Sequence, residues 1–306
     1  MTDLRRPESL PQILQQRFDL IIFDWDGTAV PDRATPVPDL NRALEGLLRQ
    51  GAWLSPVTGT KLETLEEHSL SLLSPEARAR NLIVCTNRGS EVWAYEPDGT
   101  RREVWERVST EEEERQLSAA TEELQRRLLG RGLETQIIYK RLNRRKLDLI
   151  PLPEWAEPPK ARIADLIAAT RARVRAAGFN EIADVVALAG DIARQAGLQN
   201  PRITSDGKYV EIGLTDKGDS VVWLLENVAR PNGIVNESIL IAGDEFGDVG
   251  GFSGSDARML VPEAANAVFA SVGPEPGGVP HPVLGLGGGP QRFVEILEWQ
   301  LTLHVS

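Results

Sequence analysis

The sequence predicts an α/β fold in which an inserted α+β domain interrupts a parallel sheet. At both ends of the chain, short apolar runs of strand length alternate with helical patterns, as they do in βαβ units. The middle of the chain instead mixes short strand patterns and hairpin turns with helices. We therefore expect a core made of residues 1–87 and 213–306 and an inserted domain over residues 88–212.

The first core segment contains the clearest strand pattern of the chain. The apolar run from Asp19 to Asp24 stops at Trp25-Asp26-Gly27-Thr28. Because both faces of such a run must be covered, it is typical of a parallel strand with helices on both sides. The other elements expected in this segment are strands at 52–57 and 81–86 and helices near 38–51 and 61–73.

The inserted segment begins after Asn87-Arg88-Gly89, where the regular alternation stops. Its expected strands lie at 92–96, 103–105, 135–139, 147–150 and 202–212 (the last a hairpin), and its expected helices at 110–129, 160–177 and 183–196. The alternation returns after Leu214. The elements expected there are helices at 219–228 and 291–303 and strands at 238–242, 258–261 and 268–272.

The composition is that of a globular, acidic protein. Of the 306 residues, 41% are hydrophobic and 26% are charged, a balance that excludes a disordered or fibrous chain. The net charge is −11, and residues 88–212 contain 21 basic and 21 acidic side chains, so the acidic excess lies on the core segments. An acidic surface repels polyphosphate, so we expect no binding to nucleic acid.

Neither a membrane span nor a secretory signal is expected. No stretch approaches the roughly 18 to 20 continuous apolar residues that cross a bilayer, and the first residues lack an apolar signal region. The single cysteine, Cys85, lies in an apolar run, where a buried structural thiol is expected rather than a nucleophile. These features predict a cytoplasmic protein without a membrane partner.

Four motifs, expected where core strands end or a helix begins, contain the residues of chemical interest. They are Asp24-Trp-Asp26-Gly-Thr28, Val57-Thr58-Gly59-Thr60, Asp216-Lys217-Gly218-Asp219 and Gly243-Asp244-Glu-Phe-Gly-Asp248. Taken alone, the first motif would also fit an ordinary turn, since Asp and Gly are turn residues. In an open α/β sheet, however, ligands bind beyond the carboxyl ends of the strands, so together the motifs predict one ligand site.

In this order, the four motifs resemble the signature of the haloacid dehalogenase superfamily, over roughly residues 18–87 and 213–272. The resemblance implies a Rossmann-like parallel-sheet core, and the insertion between the second and third motifs resembles that superfamily's type II cap. Such caps occur in Cof-type phosphatases, sucrose- and trehalose-phosphate phosphatases and phosphomannomutases. The implied activity is that of a Mg²⁺-dependent phosphatase with an aspartyl-phosphate intermediate.

The resemblance also implies roles for the motif residues. Phosphoryl transfer needs an in-line nucleophile and positive charge around the equatorial phosphoryl oxygens. Asp24 is the implied nucleophile, and Asp26 is placed to protonate the leaving group and then to activate water. Thr58 and Gly59 offer a hydroxyl and backbone N–H groups to the phosphoryl oxygens, and Lys217 neutralises charge there.

A divalent cation is expected beside the nucleophile, because a bare carboxylate would repel a phosphate dianion. Oxygen ligands select a hard ion such as Mg²⁺, and the implied ligands are Asp24, Asp244 and the backbone carbonyl of Asp26. The fourth motif offers two further acids. Asp248 fits a Gly-Asp-x-x-x-Asp spacing and is favoured, whereas Asp256 would fit if an insertion displaced the end of the motif.

Residues of the inserted domain are expected to select the substrate. The basic run Arg144-Arg145-Lys146 would bind a second anionic group, although such runs are more often solvated strand edges. Tyr209 and Glu211, shortly before Lys217, resemble positions at which related phosphatases contact a sugar.

The predicted function is the hydrolysis of a small phosphorylated metabolite, foremost a sugar phosphate. A phosphosugar mutase is the nearest alternative, and Gly250-Gly251 resembles a feature of phosphomannomutases. A catalytically silent module that binds a sugar phosphate or a protein partner is the alternative from another class.

Overall fold

A computed structural model of the chain describes residues 10–156, 162–249 and 251–304. Their contacts divide the chain into two units. The first unit comprises Met1–Glu106, Lys217–Phe246 and Arg258–Ser306, and the second comprises Arg107–Asp216 and Gly247–Ala257. The chain thus leaves the first unit twice, once for a long segment and once for a short one.

In the first unit, strands and helices alternate over most of the described residues, and the second unit contains both as well. The strands are β1 (Leu20–Asp24), β2 (Trp53–Val57), β3 (Val84–Thr86), β4 (Glu91–Tyr95), β5 (Arg101–Glu106), β6 (Gln136–Ile138), β7 (Arg144–Asp148), β8 (Arg202–Ser205), β9 (Tyr209–Gly213), β10 (Ile239–Gly243), β11 (Asp248–Val249), β12 (Phe252–Ser253), β13 (Val268–Ser271) and β14 (Leu284–Gly285). The α-helices are α1 (Pro38–Arg49), α2 (Leu62–His68), α3 (Pro75–Asn81), α4 (Glu111–Leu129), α5 (Ile163–Ala176), α6 (Ile182–Gln195), α7 (Lys217–Leu224) and α8 (Gly289–His304).

The first unit contains an eight-stranded sheet in the order β14-β13-β10-β1-β2-β3-β4-β5. The strands from β14 to β3 are parallel, and β1 lies in the middle of the sheet, between β10 and β2. The register aligns the strand ends, because Asp24 pairs with Val57 and Phe23 pairs with Ala242. The residues that follow β1, β2 and β10 therefore emerge at the same edge of the sheet.

Apolar side chains from β1 explain why this strand is central. All five of its residues are buried. Ile21 and Phe23 pack into one core cluster with residues of α1 and α8, and Leu20 and Ile22 pack into another with residues of α7. Alternate side chains thus point to opposite faces, each covered by helices, as expected for a parallel sheet.

Two strands expected in the inserted domain belong instead to the core sheet. β4 pairs antiparallel with β3, and β5 pairs antiparallel with β4. The contacts divide the chain after Glu106 and after Asp216, rather than at the expected limits of residues 88 and 212. The apolar residues of the β3–β4–β5 meander explain the shift, since Val92 is buried in the same cluster as Ile22.

The second unit combines an antiparallel sheet with helices. Its sheet has four strands in the order β6-β7-β9-β8. Leu117 and Leu124 of α4, Val185 of α6 and Leu147 of β7 share one buried cluster. A capping box at Thr110 starts α4, as its sequence pattern indicates.

Several smaller expectations differ from the structure. Residues 258–261, expected as a strand, begin inside a 3₁₀-helix at Ser255–Met259. The strand expected at 147–150 is β7, which begins earlier. Neither β14 nor α3 was expected. The start of the helix expected at 160–177 lies partly outside the described residues, which resume at Arg162. Among the described helices, none has the length and apolarity needed to cross a membrane.

Candidate active site

Asp24 ends β1 and is in contact with a lysine. Its side chain is buried, and the Nζ of Lys217, the first residue of α7, donates a hydrogen bond to Asp24 Oδ1 over 2.7 Å. Lys217 is buried as well. A buried charge without a counter-charge is costly, so each group of this pair stabilises the other in the ionised form. The structure thus brings together two residues that the sequence places 193 positions apart.

Asp244 follows β10 and lies against the turn that follows β1. The hydroxyl of Thr28 donates to Asp244 Oδ1 over 3.0 Å. Gly27 has a φ of +99°, and a Cβ there would lie 2.1 Å from Asp244 Oδ2. A Cβ on Gly273 would lie 1.9 Å from the carbonyl oxygen of Asp244. The two glycines therefore leave the space in which Asp244 sits.

Asp24 and Asp244 form a cluster of carboxylates with Asp256. Each of the three offers one oxygen, and these oxygens all lie within 4.8 Å of one another. Asp256 lies on the 3₁₀-helix Ser255–Met259, through which the division between the two units passes. Met259 of the same short helix is buried in a core cluster of the first unit.

The donor set of this cluster fits the predicted Mg²⁺. Three carboxylates at this distance repel one another, and the ammonium of Lys217 contacts one of them. A divalent cation would compensate for negative charge of the cluster. Because every side-chain donor is an oxygen, a hard ion of the Mg²⁺ type is the one that the cluster favours.

Of the two candidate acids in the fourth motif, the structure places Asp256 in the carboxylate cluster. Asp248, favoured from its spacing, is exposed and begins the small hairpin of β11 and β12. Asp256 is fully buried and belongs to the carboxylate cluster. The hairpin precedes the short helix that contains Asp256. Of the two acids that the sequence offers, Asp256 is the one in this cluster.

Thr58 follows β2, as expected, but its backbone N–H already donates a hydrogen bond within the sheet. Its backbone N–H donates to the carbonyl of Cys85 over 3.0 Å, as a continuation of the pairing between β2 and β3. Its Oγ1 accepts a hydrogen bond from the N–H of Thr60. Thr58 can therefore offer a phosphoryl group its hydroxyl proton, whereas its backbone N–H is bonded within the sheet.

Gly59 lies beside Arg88, for which the sequence predicts no functional role. A Cβ on Gly59 would meet Cγ and Nε of Arg88 at 3.4 Å. The backbone of Arg88 has a φ of +55°, and its N–H donates to the carbonyl of Thr58. A non-glycine residue in this conformation is uncommon. The flanking Asn87 and Gly89 have positive φ too, and this unusual run after β3 is the signal that could have drawn attention to Arg88.

Asp26, the expected acid–base residue, forms an ion pair with Arg33. Arg33 Nε donates to Asp26 Oδ1 over 2.8 Å, and Nη2 donates to Oδ2 over 2.5 Å. This bidentate contact raises the pKa of the Arg33 guanidinium. Among the described residues, the carboxylate of Asp26 does not belong to the cluster of Asp24, Asp244 and Asp256. Arg33 is a second residue that the sequence analysis missed.

The residues expected to select the substrate form one polar group in the second unit. Arg144, Arg145 and Lys146 are in β7, an interior strand rather than a solvated edge. Glu211 of β9 is buried, and its carboxylate lies 2.7 Å from Lys146 Nζ, which also lies over the ring of Tyr209.

The two arginines of this run are buried and paired. Arg144 Nε lies 3.5 Å from Glu211 Oε2, and Arg145 forms an ion pair with Glu114 of α4. Of the five expected residues, four therefore contact one another across β7 and β9, while Arg145 is directed to the helix.

Comparison with known proteins identifies the fold. No model of a protein family matches the sequence, and no curated protein matches it. Among solved structures, IMP-nucleotidase of Plasmodium falciparum is similar with a TM-score of 0.61 at 14% identity, over 95% of this chain and 70% of that one. Trehalose-6-phosphate phosphatase of Aspergillus fumigatus is similar with a TM-score of 0.53 at 14% identity, over 95% of both chains.

Both structures belong to the haloacid dehalogenase superfamily, so the resemblance predicted from the four motifs is confirmed at the level of the fold. The observed architecture agrees with it: a mostly parallel central sheet, plus a separate antiparallel sheet in the inserted segment. At 14% identity, the likeness is one of fold alone.

Proposed function

We propose that the protein is a Mg²⁺-dependent phosphatase that hydrolyses a small phosphorylated metabolite through an aspartyl-phosphate intermediate. One observation carries the proposal: Asp24 is buried, hydrogen-bonded to Lys217 and within 4.8 Å of two further carboxylates. A carboxylate in such a setting serves as a nucleophile toward phosphorus, provided that cations offset the charge of the substrate. The protein shares its fold with two phosphatases, and this fold is consistent with the proposed chemistry.

In the first step, an oxygen of Asp24 attacks phosphorus while the bond from phosphorus to the leaving oxygen breaks. For this step Asp26 must first take up a proton, which it then gives to that leaving oxygen as it becomes a carboxylate. The Lys217 ammonium and the Thr58 hydroxyl hold the equatorial phosphoryl oxygens, and Arg88, beside Gly59, adds positive charge to this loop. The products are a free alcohol and phosphorylated Asp24.

In the second step, water attacks the phosphorus of phosphorylated Asp24. Asp26, now a carboxylate, takes the proton of this water, and the bond from phosphorus to Asp24 breaks. Inorganic phosphate leaves, and Asp24 returns to the carboxylate form that pairs with Lys217.

We propose that Asp24, Asp244 and the backbone carbonyl of Asp26 hold the Mg²⁺, with Asp256 in place of Asp248 as the further acid. When bound, the ion neutralises the charge between the nucleophile and the phosphate. The buried position of Asp256 and the exposed position of Asp248 support this choice.

A sugar phosphate is the substrate class that we propose first. One structural neighbour is named for trehalose 6-phosphate and another for IMP, so nucleotides belong among the substrates to be tested. In the second unit, Tyr209 and Lys146 are the expected residues that would offer a hydroxyl and a cationic group to a hydroxylated or anionic leaving group, whereas Arg144, Arg145 and Glu211 are buried in ion pairs. A cytoplasmic location, expected from the single cysteine, stays a prediction.

The phosphosugar mutase remains the alternative from the sequence. Of the glycine pair that favours it, Gly250 lies outside the described residues, and Gly251 occupies a turn with a φ of +90°. A mutase would return the phosphoryl group of Asp24 to a sugar rather than to water.

A phosphate-release screen tests the proposal. Wild type would be incubated with sugar phosphates, nucleotides and phosphoglycerates, with Mg²⁺ or with a chelator, beside Asp24→Asn and the control Asp39→Asn, whose side chain lies at the exposed start of α1. We expect Mg²⁺-dependent release by wild type and the control, and a loss on the order of 10⁴-fold or more in Asp24→Asn.

Other outcomes would contradict this account in different ways. Turnover by Asp24→Asn at the wild-type rate would refute the nucleophile. An isomerised sugar phosphate without free phosphate would indicate the mutase. No reaction across the panel would favour the silent binding module.

A further inference from the structure

The turn that follows β3 has an unusual backbone conformation at three successive residues. Asn87, Arg88 and Gly89 have φ values of +49°, +55° and +81°. Glycine adopts this region freely and asparagine tolerates it, whereas an arginine there is strained. Strain of this kind persists only where surrounding contacts impose it, and it is concentrated at functional sites. The contacts of this turn, and the position that they give to Arg88, therefore bear on function.

Backbone hydrogen bonds connect the turn to the loop that follows β2. The N–H of Asn87 donates to the carbonyl of Thr60 over 2.9 Å, and the N–H of Arg88 donates to the carbonyl of Thr58 over 3.0 Å. The side chain of Arg88 lies against the same loop, since its Cγ and Nε would lie 3.4 Å from a Cβ on Gly59. The turn and this loop are thus held in one arrangement.

The carboxylate of Glu91, at the start of β4, also holds the turn. Its Oε2 accepts from the Thr86 hydroxyl over 2.6 Å and from Asn87 Nδ2 over 2.8 Å. The indole N–H of Trp93 donates to Thr86 Oγ1 over 3.2 Å. One carboxylate oxygen therefore joins the last residue of β3 to the first residue of the strained turn, from which Arg88 follows.

We propose that Arg88 binds oxygens of the phosphoryl group and that Glu91 is the positioning residue that fixes the turn of Arg88. The inference rests on the proposed function and deepens it, because it assigns Arg88 a direct contact with the group that is transferred. Neither residue belongs to the four motifs.

The order of the strands explains how Arg88 reaches the phosphoryl group. β2 lies between β1 and β3, so the end of β3 is about 10 Å from the end of β1. Val57 pairs with Asp24, so the loop that contains Gly59 begins at the edge of the sheet where Asp24 lies. An arginine side chain is long enough to cover much of this distance. Its planar guanidinium also matches two oxygens of a phosphate, which a lysine does not.

The contact of Arg88 is tested with a substrate found in the phosphate-release screen and with inorganic phosphate as inhibitor. In Arg88→Asn, whose new residue tolerates the positive φ, we expect kcat/KM to fall and the inhibition constant of phosphate to rise, each about 10- to 100-fold. Arg88→Lys should recover part of both losses, since a lysine keeps the charge but not the planar fork. Arg80→Asn is the matched control and should match wild type, because Arg80 is an exposed arginine in the last turn of α3, before the other end of β3.

The role of Glu91 is tested by a double-mutant cycle with Arg88. Alone, Glu91→Ala should lower kcat/KM on the order of 10-fold, whereas in the Arg88→Asn background it should lower kcat/KM less than about twofold, since its effect passes through Arg88. A residue that merely stabilised the fold would have the same effect in both backgrounds. Glu91→Gln should lose less than Glu91→Ala, because glutamine keeps one acceptor oxygen for Thr86 and Asn87.

Glu103→Ala is the control for Glu91 and should match wild type, because Glu103 is an exposed residue of β5, the strand that pairs with β4. Circular dichroism verifies folding, and Glu91→Gln takes the place of Glu91→Ala in the cycle if the alanine variant does not fold. Inhibition of Arg88→Asn by phosphate at the wild-type level would overturn the contact of Arg88. Equal effects of the Glu91 variant in both backgrounds would overturn its positioning role.

Both of these results would leave the phosphatase intact. Wild type that releases phosphate from no compound of the screen would instead overturn the proposed function, and this inference with it.

Discussion

Gly27 shows how one missing side chain shapes the candidate metal site. Its φ of +99° lies in the region that favours glycine, and it leaves room for the carboxylate of Asp244. The same turn supplies the Thr28 hydroxyl that bonds to Asp244. The turn after β1 therefore both presents Asp26 and fixes Asp244, which explains why an Asp-x-Asp-Gly-Thr pattern is more informative than its turn-forming residues alone.

Replacing Gly27 by alanine should weaken the binding of Mg²⁺. The new Cβ would lie 2.1 Å from Asp244 Oδ2 and would force that carboxylate to move. Because residues that orient a ligand contribute strongly to metal affinity, we expect the Mg²⁺ concentration for half-maximal activity to rise at least about 10-fold. A titration of activity with Mg²⁺ measures this.

Gly51→Ala provides the control for backbone strain. Gly51 has a φ of +90°, but a Cβ there would meet nothing within 4 Å. We expect it to lose about 1 to 2 kcal/mol of unfolding free energy from its conformation, with an unchanged Mg²⁺ requirement. A wild-type Mg²⁺ requirement in Gly27→Ala would show that Asp244 does not hold the ion.

The burial of Cys85 indicates a structural role for its thiol. The thiol is fully buried in β3, and this burial raises its pKa to about 12. A thiol in this state is not ionised at neutral pH, so it is a poor nucleophile. The expectation of a structural cysteine is thereby confirmed.

Hydrogen bonds connect the last helix, α8, to the segment that leads into β1. Gln300 Oε1 accepts from the N–H of Phe18, and its Nε2 donates to the carbonyl of Gln16. At the end of the helix, Nε2 of His304 lies 2.9 Å from the carbonyl of Phe18, which accepts the ring proton. These contacts fix the start of the strand that ends at Asp24.

His304 should make the stability of the protein depend on pH. Burial lowers its pKa from the ordinary value of 6.5, and nearby Arg17 lowers it further, whereas the Phe18 carbonyl and Asp19 oppose the shift. The unfolded chain therefore binds this proton more readily than the folded chain. Consequently the unfolding free energy should be unaffected by His304 above pH 6.5 and should fall as the pH drops below that value.

Urea unfolding at about pH 7.5 and pH 5.5, for wild type and His304→Gln, measures this effect. A neutral glutamine keeps a donor for the Phe18 carbonyl but cannot take up the proton. The variant should lose less stability between the two conditions than wild type does. An identical loss in both proteins would assign the pH dependence to other groups.

Along the chain, the elements that the sequence predicts best are those with strong local patterns. The run ending at Asp24 is buried along its whole length, and the helix expected at 110–129 is α4 to within one residue. The strand expected at 258–261 is wrong because its apolar residues, such as Met259, are buried from a short 3₁₀-helix. Periodicity cannot distinguish such short elements, since both bury the same side chains.

At the scale of the whole molecule, the sequence predicts that the motif residues lie close together, but it does not predict every residue that contacts them. Parallel strands bring Asp24 and Asp244 to one edge, as the places of these residues at the ends of expected strands predict. The contact of Arg33 with Asp26 depends on the path of an irregular loop, for which no periodic pattern exists. Likewise, the spacing of the fourth motif does not predict the β11–β12 hairpin, which contains Asp248, whereas Asp256 lies in the carboxylate cluster.

The contacts divide the chain after Glu106 and Asp216, whereas the sequence predicts limits at residues 88 and 212. Alternating patterns locate an insertion, but they do not show whether β4 and β5 pair with the core or with the insertion. In the structure they extend the core sheet. The second unit has its own buried cluster, separate from those of the first.

The attack of Asp24 on phosphorus is tested most directly by trapping the phosphorylated enzyme. Wild type would be quenched in acid during turnover of a substrate found in the screen and treated with borohydride, which reduces an acyl phosphate to an alcohol. Peptide mass spectrometry would then locate the modified residue. We predict homoserine at position 24 in wild type and an unmodified peptide in Asp24→Asn. Reduction at any other carboxylate, or none while phosphate is being released, would contradict the account.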